Sequence, residues 1–283
     1  MVNPIGAQFL PEGFAGPRGL RALAREGFLV ELGHYVARRR TTSRARKGTP
    51  YAGREVARAA QPVVLMPGFM AGDATLALLG RSLREEGYRT YRAQVHANVG
   101  CTREAADNLE RRIEAIALRR NRKVAIVGHS LGGMIARGLA ARRPDLVSGI
   151  VTMGSPMLAP AAVHQALAWD LQVLLTLSRA GIGGLMRAEC VAGACAEGSF
   201  NESRLELPGG VGFTAIYSKR DGIVDWRGCI DPSAEAVEVW ASHLGMILDP
   251  RVFDEVSTAL RSFATEVPGQ MPELPAARIA CAG

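Results

Sequence analysis

The stretch KVAIVGHSLGGMIARGLAARRP, residues 123–144, decides how the rest of the chain is read. Val124, Ala125, Ile126 and Val127 form a short apolar run of the length a buried strand takes. Gly-His-Ser-Leu-Gly-Gly follows directly, and then apolar residues recur at helical spacing until Pro144 stops them. A strand that becomes a helix across one serine flanked by glycines puts Ser130 at the apex of a tight turn, with the helix N-terminus behind it. A serine hydroxyl is a weak nucleophile until a base takes its proton, so the remaining sequence has to supply a base and a group to orient it.

Outward from this turn, short apolar runs alternate with helical stretches. PVVLMPG (62–68) reads as a strand, followed by a helix over 75–86. YRTYRAQV (88–95) is a second strand, and residues 103–120 form a charged amphipathic helix. After VSGIVTMGSP (147–156) the alternation fails. Residues 156–208 are rich in Ala, Leu and Gly, with a helix-like section near 161–177. Alternation resumes at GFTAIYSKRDG (212–222) and AVEVWAS (236–242), and a last helix is expected over 251–264. The pattern predicts an α/β domain over residues 61–264, with a mostly parallel central sheet of about six strands flanked by helices. The 156–208 segment is expected to be a helical lid over the carboxyl edge of the sheet, where open α/β sheets bind ligands. Residues 1–60 read as a leader packing on or beside the core, with one helix over 20–38 and then a basic loop. Residues 265–283 read as a tail.

Composition narrows the function. With 48% apolar and 22% charged residues, the chain is globular. Its longest apolar stretch is interrupted by His164, Gln165, Asp170 and Gln172, so no membrane span is expected. The N-terminus lacks the basic start and apolar run of a secretory signal, and a cytoplasmic location is expected, with at most peripheral membrane contact. The net charge of +7 resides in residues 1–60, where eleven Arg/Lys face four Asp/Glu; beyond them there are 23 of each. Arg38, Arg39, Arg40, Arg44, Arg46 and Lys47 are read as a solvated surface with a weak affinity for anionic lipid at most. No aromatics are interleaved with these arginines, so nucleic acid is not an expected partner. The five cysteines form no CxxC and none stands at metal-ligand spacing from a histidine, so no metal is expected. Without an export signal the thiols are expected to be free, a Cys190–Cys195 bridge being the alternative.

Gly128-His129-Ser130-Leu131-Gly132, set between strand and helix, is a G-x-S-x-G nucleophile elbow, and with it the chain resembles the α/β-hydrolases, more closely their lipase and esterase branch, over about residues 61–264. The resemblance implies the α/β-hydrolase fold and a triad in the order nucleophile, acid, base. Asp221, just past a strand end in YSKRDGIVDW, takes the acid position, with Asp225 and Asp231 as alternatives. His243 is the one histidine C-terminal to it and takes the base position. The oxyanion donors implied are the amide of Leu131 and that of Phe69, with Met70 as the fallback. Members of the family commonly carry His-Gly where this chain has Pro67-Gly68, so whatever braces that loop must differ. His129 is read as a structural residue of the elbow that borders the substrate site. Met70, Met157, Leu158, Leu167, Leu171, Leu174 and Val224 are the other candidate pocket residues, with Trp169, Leu175, Leu177 and Leu185 also available from the insertion. The implied activity is hydrolysis of small ester or lipid substrates with apolar acyl chains, through an acyl-enzyme and without a cofactor. Acyl transfer or thioester cleavage would use the same residues, and a non-catalytic ligand-binding protein is the third alternative.

Overall fold

Pro62–Met66 presents no polar side chain and is buried along its whole length, as a strand can be only when both faces of its sheet are covered. The computed structural model describes residues 6–27, 29–45 and 61–265 and shows that cover. Six strands form one parallel sheet: β1 (Pro62–Met66), β2 (Arg89–Arg92), β3 (Val124–His129), β4 (Val147–Met153), β5 (Gly212–Tyr217) and β6 (Glu235–Glu238), in the spatial order β2-β1-β3-β4-β5-β6. This is the α/β-hydrolase fold. The order in which strands are added reverses between β1 and β3, the switch point at which such sheets open a crevice beyond their carboxyl ends.

The leader contributes α1 (Gly19–Ala24) and α2 (Leu29–Ala45), and the body α3 (Ala77–Glu85), α4 (Thr102–Arg120), α5 (Leu131–Arg142) and α9 (Pro250–Thr265). One face of the sheet packs on α4 and α5 through Leu109, Ile113, Ile126, Leu139 and Ile150. The other packs on α3 and α9 through Leu79, Leu83, Val127, Phe253 and Leu260. Each such buried side chain contributes on the order of 1.5–3 kcal/mol. The insertion carries α6 (Gln165–Arg179), α7 (Glu189–Ala192) and α8 (Ala194–Glu202).

Some boundaries differ from expectation. The leader carries two helices instead of one, the first ending at Ala24 and the second beginning at Leu29, and Glu26 between them is buried. β2 ends at Arg92 instead of continuing to Val95, since Gln94 adopts φ +68° and the chain leaves the sheet edge. Arg38 is engaged with the start of α9, bonding Pro250 O at 2.9 Å and pairing with Asp254. Arg46, Lys47 and the tail 266–283 lie outside the described residues. Cys101, Cys190, Cys195 and Cys229 are unbridged, and Cys195 Sγ faces Cys101 Sγ at 3.3 Å. No helix among the described residues is long and apolar enough to cross a membrane.

Candidate active site

At the end of β3 the backbone of Ser130 takes φ +52° and ψ −122°, a conformation that costs a non-glycine residue free energy and is held by its surroundings. Close approach explains the glycines around it. A Cβ on Gly128 would sit 2.5 Å from Gly132 O, and one on Gly132 would sit 2.3 Å from Met66 O. With no side chains there, α5 packs directly on β3 and β1. The Ser130 amide donates to Met153 O at 2.8 Å, which ties the elbow to the end of β4.

The next residue, Gly154, has φ +58°, and a Cβ there would lie 3.0 Å from His243 Nδ1 and 3.3 Å from Asp221 Oδ2. The end of β4 therefore bridges Ser130 and the acid–base pair. His243 Nδ1–H donates to Asp221 Oδ2 at 2.6 Å, with both residues buried. Asp221 Oδ1 accepts the amides of Ile223 and Val224, both at 2.8 Å, so the carboxylate is fixed at both oxygens. Of the alternative acids, Asp225 is paired with Arg227 and Asp231 with the buried Arg137. Asp221 alone of the three meets the histidine. Among the described residues Ser130 Oγ and His243 Nε2 make no hydrogen bond, either with each other or with another residue.

Burial alone would depress the pKa of His243, but the charge and hydrogen bond of Asp221, with the charge of Glu26, hold it above the ordinary histidine value. His129 behaves oppositely: burial and the neighbouring His243 push it down to about 3. His129 is thus neutral, and its Nε2–H donates to His243 O at 3.0 Å with the two rings 4.8 Å apart. It supports the His243 loop, and it is not among the residues that line the cavity beside Ser130.

Two amides are available near Ser130. Leu131 N opens α5, and among the described residues neither it nor Phe69 N is engaged, whereas Met70 N donates to Asn98 O at 3.0 Å. That favours Phe69 over Met70 as the second donor. The loop is braced by Asn98, whose Nδ2 donates to Pro67 O at 3.0 Å and whose amide donates to Ala71 O at 2.9 Å. Asn98 is buried and had no signature in the sequence.

A cavity of about 210 Å³ opens beside Ser130. Phe69, Leu131, Met134, Leu167, Leu171, Met186, Phe200 and Val224 line it. Leu167, Leu171 and Val224, three of the expected pocket residues, are among these. Met70 is not, because its positive φ turns it outward and 48% exposed. Met157 is buried in the core against the α4–α5 face, while Leu158 and Leu174 lie off the cavity lining. Trp169 and Leu177 face solvent, Leu175 is buried, and Leu185 likewise stays off the lining.

The leader supplies what the sequence left illegible. Phe9 lines the cavity, its ring 5.2 Å from that of Phe200. Glu26, 8% exposed, accepts three backbone amides: Gly222 at 2.7 Å and His243 at 3.1 Å on Oε1, and Leu244 at 2.8 Å on Oε2. Glu31 accepts Ser242 N at 3.0 Å. Two leader carboxylates therefore fasten the loop bearing His243, and one of them also holds the loop bearing Asp221.

A family model for the alpha/beta hydrolase fold matches residues 62–180. A triacylglycerol lipase of Vibrio cholerae is 32% identical over 98 residues, 33% of this chain; the match spans about a third of that relative's length, 31%. Among solved structures, the lipase BlEst2 of Bacillus licheniformis in its mature form superposes with a TM-score of 0.56 at 14% identity, covering 75% of this chain and 96% of that one. Its propeptide form gives 0.57 at 15% identity, covering 81% of this chain and 55% of the other. At these identities the likeness is one of fold.

Proposed function

We propose that this chain is a serine carboxylic-ester hydrolase of the α/β-hydrolase superfamily, acting on esters with apolar acyl chains. His243 takes the proton of Ser130 as the hydroxyl oxygen attacks the ester carbonyl, and Asp221 keeps the imidazole in the Nε2-accepting tautomer and stabilises the imidazolium. The amides of Phe69 and Leu131 hold the oxyanion, the latter at a helix N-terminus. His243 then gives its proton to the leaving alcohol. Water activated by the same ring attacks the acyl-enzyme, releasing the acid and restoring Ser130. The cavity beside Ser130 is walled mainly by apolar side chains, with Thr102, Ser199 and Glu202 also on its lining, and this suits an acyl chain over a charged group.

The observation that carries this reading is the buried 2.6 Å Asp221–His243 pair, packed against Gly154 one residue beyond the carbonyl that holds the Ser130 amide. Hydrolysis of p-nitrophenyl esters of graded chain length tests it. Activity is expected to rise with acyl length until the cavity is filled and to be lost in Ser130→Ala. Undiminished hydrolysis in that variant would remove the proposal.

A further inference from the structure

Away from this chemistry, three thiols converge from segments far apart in the sequence. Cys101 is the residue before α4, Cys190 lies in α7 and Cys195 in α8. Their sulfurs all lie within 4.8 Å of one another, with Cys101 and Cys195 3.3 Å apart, and all three residues are partly buried. We propose that Cys101, Cys190 and Cys195 form a binding site for a thiolate-seeking d¹⁰ cation of the Zn²⁺ class, joining the insertion to the body of the protein.

A tetrahedral zinc–thiolate site has Zn–S of about 2.3 Å, which places its sulfurs about 3.8 Å apart, inside the spread found here. A disulfide accounts for the arrangement less well, because it joins two sulfurs at about 2.05 Å and leaves the third without a role. The surroundings favour the negative charge that such a site carries. Cys101 stands at the N-cap of the 19-residue α4, beside the first-turn amides that a helix leaves without internal partners. The positive end of that helix adds to their effect. The Arg103 side chain lies over Gly198, three residues beyond Cys195 in α8, where a Cβ would be 2.1 Å from its Nη2.

Binding replaces three S–H bonds by three metal–sulfur bonds. Three protons are released, the dication and three thiolates give a net charge of −1, and a water completes the fourth position. Arg103 stands where it can offset that charge. Spacing within the sequence concealed the set, because Cys101 and Cys195 are 94 residues apart. Cys190 lines the cavity beside Ser130, and Phe200 follows Cys195 in α8. A bound ion therefore fixes the cavity wall as well as joining two parts of the chain.

The test is titration of the full-length, reduced chain with Co²⁺ in the absence of oxygen, followed by displacement with Zn²⁺. One equivalent should give an intense near-ultraviolet thiolate-to-cobalt band. Cys101→Ala and Cys195→Ala should each weaken binding at least tenfold, since losing even an outer-sphere partner of a metal ligand costs about 10–100-fold. Cys229→Ala, away from the cluster, should leave the band intact. Alkylation of the wild-type chain with iodoacetamide, read by peptide mapping, keeps the test independent of how the variants fold: Zn²⁺ should protect Cys101, Cys190 and Cys195 together. Absence of the band and of protection overturns the proposal. So does a native Cys101–Cys195 disulfide whose reduction yields no Co²⁺ binding.

Discussion

Replacing Glu26 with glutamine asks whether the leader positions the histidine. The carboxylate accepts from Gly222, His243 and Leu244, and the amide, nearly the same shape, has one oxygen and carries no charge. With that oxygen in the place of Oε1, the amides of Gly222 and His243 keep an acceptor, but each charge-assisted bond becomes a neutral one and weakens by about 1 kcal/mol. The N–H of Leu244 then meets an NH₂ group. Losing that bond costs about 1–2 kcal/mol, near the lower end for a stranded donor because Leu244 is 43% exposed. The sum is about 3–4 kcal/mol, or a fall in Tm on the order of 10 °C for a domain of this size. A calorimetric scan reads it.

The second readout is the pH profile. The charge of Glu26 is one of the influences raising the pKa of His243, so its removal lowers that pKa. The acid limb of kcat/KM, which reports the free-enzyme base, should therefore move to lower pH. Glu26→Ala strands all three donors and should cost more stability, with kcat reduced on the order of 100-fold if the ring shifts by about 1 Å. Unchanged Tm together with an unchanged acid limb in Glu26→Gln would refute the reasoning. A lower Tm with an unmoved limb would show that Glu26 is a structural residue without influence on the base.

Gly154→Ala forces a Cβ to within 3.0 Å of His243 Nδ1 at a positive φ; kcat should fall about 10–100-fold with KM little changed, and wild-type steady-state kinetics would contradict this. Asn98→Ala removes the bond to Pro67 O and should reduce kcat by roughly tenfold through the oxyanion loop, with the acid limb of the pH profile unmoved. Leu171→Trp, in the cavity wall, should shift kcat/KM toward shorter acyl chains in a p-nitrophenyl ester series. The folded pKa of His243 is raised above an unfolded value of about 6.5. Its pairing with Asp221 thus contributes stability that is complete below pH 6.5 and is lost as pH rises through the folded value. The Tm of the wild type should decline across that window, and the decline should be absent in Asp221→Asn.

The sheet and the serine turn were legible because their signals are local: apolar runs for the strands, and Gly128 and Gly132 where strand and helix approach too closely for a side chain. His243 followed from order along the chain. Glu26, Phe9 and Asn98 had no such signal. Glu26 reaches partners 196 to 218 residues away from a leader whose composition suggests only a basic surface. A single glutamate before a glycine carries no sign that it will be buried. Phe9 and Phe200 are brought together only by tertiary packing. Candidate pocket residues chosen for apolarity separated by side-chain direction, with Leu167 and Leu171 on the inner face of α6 and Trp169 on the outer. Apolar character alone does not tell a lining residue from one in the core or at the surface. The cysteines were misleading for a related reason, since a search for close spacing cannot find ligands drawn from three separate elements.

The reactivity of Ser130 is measured most directly by treating the chain with a fluorophosphonate and locating the adduct by mass spectrometry. One adduct per chain on Ser130 is predicted, with the labelling rate reduced by orders of magnitude in His243→Ala. An adduct on any other residue, or labelling of the His243→Ala chain at the wild-type rate, would contradict the account.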